Sequence, residues 1–87
     1  MTTETPENRL RRMRMRSMRR GIKEMDLILS AYATAALAGM DAGRLDLYDA
    51  LLEENDQDLY QWVTGQVAAP DRFTVLIADI SQVLQNQ

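Results

Sequence analysis

The densest chemistry in this chain lies in one stretch, RSMRRGIKEMD, residues 16 to 26. Arg16, Arg19, Arg20 and Lys23 gather positive charge around Gly21, and Glu24 and Asp26 follow at once. Guanidinium groups grip carboxylates and phosphates in paired geometry, and a glycine lets another backbone or ligand come close. The unit R-G-x-x-E, formed by Arg20, Gly21 and Glu24, therefore offers paired recognition chemistry beside an open backbone. A plainer reading is helix capping plus a local Arg–Glu pair, which at a surface contributes ~0–1 kcal/mol. Five residues alone do not separate the two, and by pattern the plainer one leads.

Other chemistry is excluded by composition. The chain of 87 residues holds no histidine and no cysteine. Triads built on His, and zinc sites built on thiolate or imidazole, have no residues to use, so no catalytic group is assigned. No disulfide is available, which suits a reducing compartment. The acidic series Glu53, Glu54, Asp56 and Asp58 lacks the glycine and terminal glutamate of a calcium loop, and no metal site is expected. The longest charge-free run, LILSAYATAALAGM over residues 27 to 40, is shorter than the ~20 residues a spanning helix needs. Without a signal-like N-terminus either, the sequence reads as that of a soluble, intracellular protein with no membrane insertion.

The elements that must hold the 16–26 stretch are all helical. Residues 1–5 read as a flexible tail and 6–87 as one helical domain. Thr5, Pro6 and Glu7 form a start signal for a helix running to about Arg20. Arg19 and Arg20 suit a helix end, Glu24 and Asp26 suit a helix start, and a tight turn at Gly21 joins the two. The second helix, about 23 to 38, carries Met25, Ile28, Leu29, Tyr32 and Ala36 at three-and-four spacing and ends at Gly39. Asp41 caps a third helix over about 42 to 54, bearing Leu45, Tyr48, Leu51 and Leu52. Asp56 caps a fourth with Leu59, Trp62 and Val63, and Pro70 opens a fifth with Phe73, Leu76, Ile77, Ile80, Val83 and Leu84. Tyr32, Tyr48 and Trp62 are expected at the core or its edge with a polar tip exposed. The fold class is all-α, a small five-helix bundle.

Charge is uneven: residues 1–23 carry a net of +6 and the remainder −9. At 100° per residue, Arg9, Arg12, Arg16, Arg19 and Arg20 form a ridge on the first helix. Such a ridge can bind phosphates, an anionic surface or an acidic protein face, or be no more than a solvated face. A small nucleic-acid-binding or regulatory protein is the alternative reading. The acidic remainder and the absence of aromatics among the arginines weigh against it.

RRGIKEMDLIL, followed by LYDALLEENDQDLYQWVTG at residues 47 to 65, resembles the succinate dehydrogenase assembly factor family, also called the SdhE or flavinator family. Its signature R-G-x-x-E matches Arg20–Glu24, and an L-L-E-x-x-D-x-x-L-x-x-W-type segment matches Leu51, Leu52, Glu53, Asp56, Leu59 and Trp62. The likeness covers roughly residues 9 to 77. It implies a compact helical protein that binds the flavoprotein subunit of succinate dehydrogenase, and in some bacteria that of fumarate reductase. Such proteins promote covalent attachment of FAD to a histidine of that subunit, so the FAD belongs to the partner and this chain alone holds none stably. By position, the resemblance makes Arg20, Gly21 and Glu24 the functional motif, with Arg16, Arg19, Lys23 and Asp26 as weaker neighbours. A bacterial cytoplasmic location follows, or the mitochondrial matrix for a eukaryotic source.

Overall fold

The computed structural model describes residues 4–85. They form five α-helices: α1 (Pro6–Met18), α2 (Lys23–Ala36), α3 (Ala42–Leu51), α4 (Asp56–Val63) and α5 (Thr74–Gln85). Short 3-10 turns, Leu37–Gly39 and Asp71–Phe73, extend α2 and lead into α5. No strand occurs among the described residues. The bundle measures 40 × 25 × 22 Å.

Local chemistry sets most boundaries. Thr5 caps α1 by accepting from the Asn8 N–H, with Pro6 at the first helical position. Asp41 caps α3 through the Arg44 N–H. At α4 the cap is Asn55, whose side chain accepts from the Gln57 N–H, and not Asp56 as the sequence suggested. Asp56 is the first helical residue, and its carboxylate turns away to another task. α1 stops at Met18 rather than at Arg20, and α3 stops at Leu51 with a turn through Glu54. Of the expected tail, Met1–Thr3 lie outside the described residues, while Glu4 is bound to Arg12.

α2 packs against α1, α4 and α5 and is the element around which the others gather. Its apolar stripe, Met25, Ile28, Leu29, Tyr32 and Ala33, meets Met13 of α1, Leu51 and Leu52 of the α3 end, Leu59 of α4 and Leu76 and Ile80 of α5 in one buried cluster. Two aromatic expectations change. Tyr48 is fully buried, its hydroxyl 2.6 Å from Ser17 Oγ, because α1 covers the face of α3 that the third helix alone would expose. Tyr32 is also buried, with its hydroxyl donating to Asp79 at 2.7 Å. Burial pushes both phenols up to about 12. Leu84, expected in the stripe of α5, is exposed.

Candidate functional site

The R-G-x-x-E unit sits at the corner where α1 gives way to α2. Arg20 points inward. Its side chain is 8% exposed, and its Nε donates to Asp56 Oδ1 at 2.7 Å. The same guanidinium donates from Nη1 to the carbonyls of Arg16 (3.2 Å) and Leu52 (3.1 Å), and from Nη2 to that of Glu54 (3.3 Å). Arg20 thus closes the last turn of α1 and staples it to the α3–α4 turn. An arginine does this because its donors fan out in one plane and reach several acceptors at once.

Asp56 completes the clamp. While one carboxylate oxygen takes Arg20, the other accepts from the Gly21 N–H at 2.5 Å. A Cβ built on Gly21 would lie 3.1 Å from that second oxygen, so a side chain here crowds the clamp. The need for glycine is therefore space against Asp56. It is not a left-handed backbone, since Gly65 alone among the described residues has a positive φ. Pattern reading gave Asp56 a capping role and missed this one. The available signal was its place in the L-L-E-x-x-D segment that follows R-G-x-x-E in the chain.

The remaining candidates divide sharply. Gly21, Lys23 and Glu24 are exposed, and neither Lys23 nor Glu24 has an ion pair among the described residues. The Arg20–Glu24 pair that spacing invited is not formed, because Asp56 holds the guanidinium. Ile22 precedes α2 without a side-chain cap, so the N–H groups of the exposed residues Lys23 and Glu24 have no capping partner. Asp26 is half-buried and accepts from Ser30 Oγ at 3.2 Å. Arg19, the residue after α1, is exposed.

The arginine ridge is a structural seam. Arg9 reaches Asp46 at 2.5 Å. Arg12 takes Asp49 in a two-pronged pair, at 2.9 and 2.7 Å, and Glu4 at 2.8 Å. Arg16 pairs with Glu53 and donates to the Leu52 carbonyl at 3.3 Å. These guanidiniums hold Asp49, Glu53 and Glu4 below the usual carboxylate range. Arg16, expected beside the motif as a binding neighbour, is spent on holding α1 to the end of α3.

Among the described residues no cluster of histidine, cysteine or acidic side chains is placed to hold a metal ion. No described helix is long and apolar enough to cross a membrane.

The R-G-x-x-E unit thus forms an exposed glycine-glutamate corner, locked from behind by an arginine–aspartate clamp. The family model described as "flavinator of succinate dehydrogenase" matches residues 11–84, and the chain belongs to that family. The match runs through the last helix, beyond the likeness the motifs alone carried. Among curated relatives, "succinate dehydrogenase assembly factor 2, mitochondrial" of Meyerozyma guilliermondii is 41% identical over 75 residues, covering 83% of this chain and 56% of that protein. The protein of the same name in Candida glabrata is 46% identical over 61 residues, 70% of this chain and 40% of its own length. That in Schizosaccharomyces pombe is 37% identical over 70 residues, 80% and 50% respectively. The chain thus spans about half the length of these relatives, which are named for assembling an enzyme and not for being one.

Proposed function

We propose that this chain is an assembly factor of succinate dehydrogenase that binds the flavoprotein subunit and promotes covalent attachment of FAD to it. The observation that carries the reading is the R-G-x-x-E corner, in a chain of the flavinator family, presented with Gly21 and Glu24 outward and Arg20 locked inward. Flavin attachment needs an attacking histidine, and this chain has none, so the reacting groups are the partner's. What the chain supplies is position. A preformed turn that holds the partner's FAD site in a reactive alignment lowers the barrier by fixing reactants, an effect that reaches several kcal/mol in well-oriented systems.

The roles follow from the geometry. Gly21 lets the partner's backbone come close. Glu24 and the uncapped N–H groups of α2 offer it an acceptor and donors side by side. Arg20 and Asp56 keep that corner from rearranging when the partner docks. In this reading the FAD stays with the partner, and the location is that of its client: mitochondrial matrix in a eukaryote, cytoplasm in a bacterium. The nucleic-acid alternative loses its main support, because Arg9, Arg12, Arg16 and Arg20 are already paired within the chain.

The test is in-gel flavin fluorescence of the denatured flavoprotein subunit from cells with and without this gene. Loss of the covalent signal on deletion and its return on re-expression is the expected result. Gly21→Trp should fail to restore it while circular dichroism stays helical. A Gly21→Trp protein that restores full flavinylation would remove the corner from the mechanism.

A further inference from the structure

α1 carries a second basic face that the motif does not include. At 100° per residue, Arg11, Arg14, Met15 and Met18 share a sector about 100° wide, turned away from the paired ridge. All four are exposed, Met15 by 46% and Met18 by 55%. Arg11 and Arg14 form no ion pair among the described residues, and the same holds for Arg19 and Lys23 at the corner where this face ends. Arg11, Arg14 and Met15, with Leu10 and Glu7, line a shallow depression of about 360 Å³. Leu27, 59% exposed and one turn beyond Lys23 on α2, continues the apolar content past the corner.

The contrast with the rest of the molecule is informative. The chain has a net charge of −3, yet the four basic residues of this face and corner are left unneutralised, with Glu7 and Glu24 as the acids nearby. Exposed methionines next to unpaired arginines suit a protein surface, since Met adapts to irregular sockets and Arg reaches carboxylates. A membrane would need a continuous apolar face, and here Met15 and Met18 are the only large apolar residues α1 exposes. A nucleic acid would meet no aromatic side chain on this face and an acidic protein behind it.

Building on the function proposed above, we propose that the outer face of α1, Arg11, Arg14, Met15 and Met18, is a second docking surface that takes an acidic, apolar-pitted face of the same flavoprotein subunit. It steers and holds the partner while the Gly21–Glu24 corner acts on the FAD site. Charge complementarity of this kind raises encounter rates and weakens with salt.

The experiment is binding of the full chain to purified flavoprotein subunit, at low and high salt, for four proteins: wild type, Arg11→Gln/Arg14→Gln, Met15→Ser/Met18→Ser, and Gln61→Glu/Gln82→Glu. The last pair, on α4 and α5, changes net charge as much as the arginine pair but lies elsewhere. We expect about tenfold weaker binding for the arginine pair at low salt, a gap that narrows at high salt, and a salt-independent loss for the methionine pair. The control pair should bind within about twofold of wild type. Equal binding by all four overturns this surface and leaves the assembly-factor reading intact. Equal losses for the arginine and control pairs overturn it too, since net charge alone would then explain the effect. If wild type does not bind the subunit at all, the functional reading fails first and this surface with it. Unchanged subunit binding by the arginine pair, with its binding to anionic phospholipid vesicles or random-sequence DNA lost, would assign the face to those partners instead.

Discussion

The two sides of α1 are built from the same residues and do different work. On the inner side, Arg9, Arg12 and Arg16, continued by Arg20, each meet a carboxylate from α3, the α3–α4 turn or the start of α4. On the outer side, Arg11 and Arg14 form no ion pair among the described residues, with Glu7 the acid beside them. Both sides have the arginine density that suggests a binding surface. Only one is free to bind. The inner set is a seam between helices, bridged because an arginine is long enough to reach the facing acids; the outer set is surplus charge, and surplus charge is what a partner can use.

The largest effect should come from the deepest member of the seam. Arg20→Ala removes donors from three backbone carbonyls and leaves the Asp56 carboxylate, 16% exposed, without its cation. Breaking a mostly buried pair in this way costs about 3 kcal/mol, read as a melting-temperature drop of roughly 10–25 °C for a domain of this size. Asp56→Asn should lose less stability but should also reduce flavinylation with Gly21 and Glu24 untouched. A clamp mutant that melts like wild type would dissolve the distinction between the two faces.

Acid should act next, and on the seam alone. The arginines lower the folded-state carboxylates of Asp49, Glu53 and Glu4 from ordinary values of 3.8 and 4.5. The unfolded chain then binds more protons in that range, so stability rises with pH through it. The contribution is complete above about pH 5 and is lost as pH falls through the lowered values. Melts at pH 7 and pH 3 should therefore show a drop that Arg12→Gln/Arg16→Gln reduces and Arg11→Gln/Arg14→Gln leaves unchanged.

A smaller effect attaches to the neutral tie between α1 and α3. Tyr48→Phe loses the bond to Ser17 Oγ, while that hydroxyl keeps its bond to the Met13 carbonyl at 2.8 Å. The expected cost is about 1 kcal/mol in denaturant unfolding. Because burial raises the Tyr48 phenol to about 12, wild type should also lose stability between pH 10 and 12 as the unfolded tyrosine ionises. The variant should lose less in that window. Smallest of all, Arg11→Gln/Arg14→Gln should stay within about 0.5 kcal/mol of wild type, since neither side chain makes an ion pair among the described residues.

Much of the architecture was legible in the residues. Thr5-Pro6, Asp41 and the apolar spacing of Met25, Ile28, Leu29 and Tyr32 announce helices because capping and periodicity are local effects. The boundaries that slipped were those where a distant group intervenes. α1 ends early where Arg20 is drawn toward Leu52 and Glu54, and Asp56 leaves the capping of α4 to Asn55 in order to hold Arg20 and Gly21. The motif residues were found by their pattern, but the direction each side chain takes was not. Arg20 and Glu24 are four apart on paper, and face opposite environments in the fold.

The sequence by itself determined that this is a helical protein without histidine or cysteine, that its positive charge lies at the N-terminal end, and that a glycine breaks that charge at position 21. These are matters of composition, period and local capping. Only the tertiary structure decided which arginines are neutralised and which are not, and why residue 21 must be small. Those answers depend on acids 35 to 37 residues further along the chain, brought alongside α1 when the bundle closes. No period along one helix encodes a partner on another.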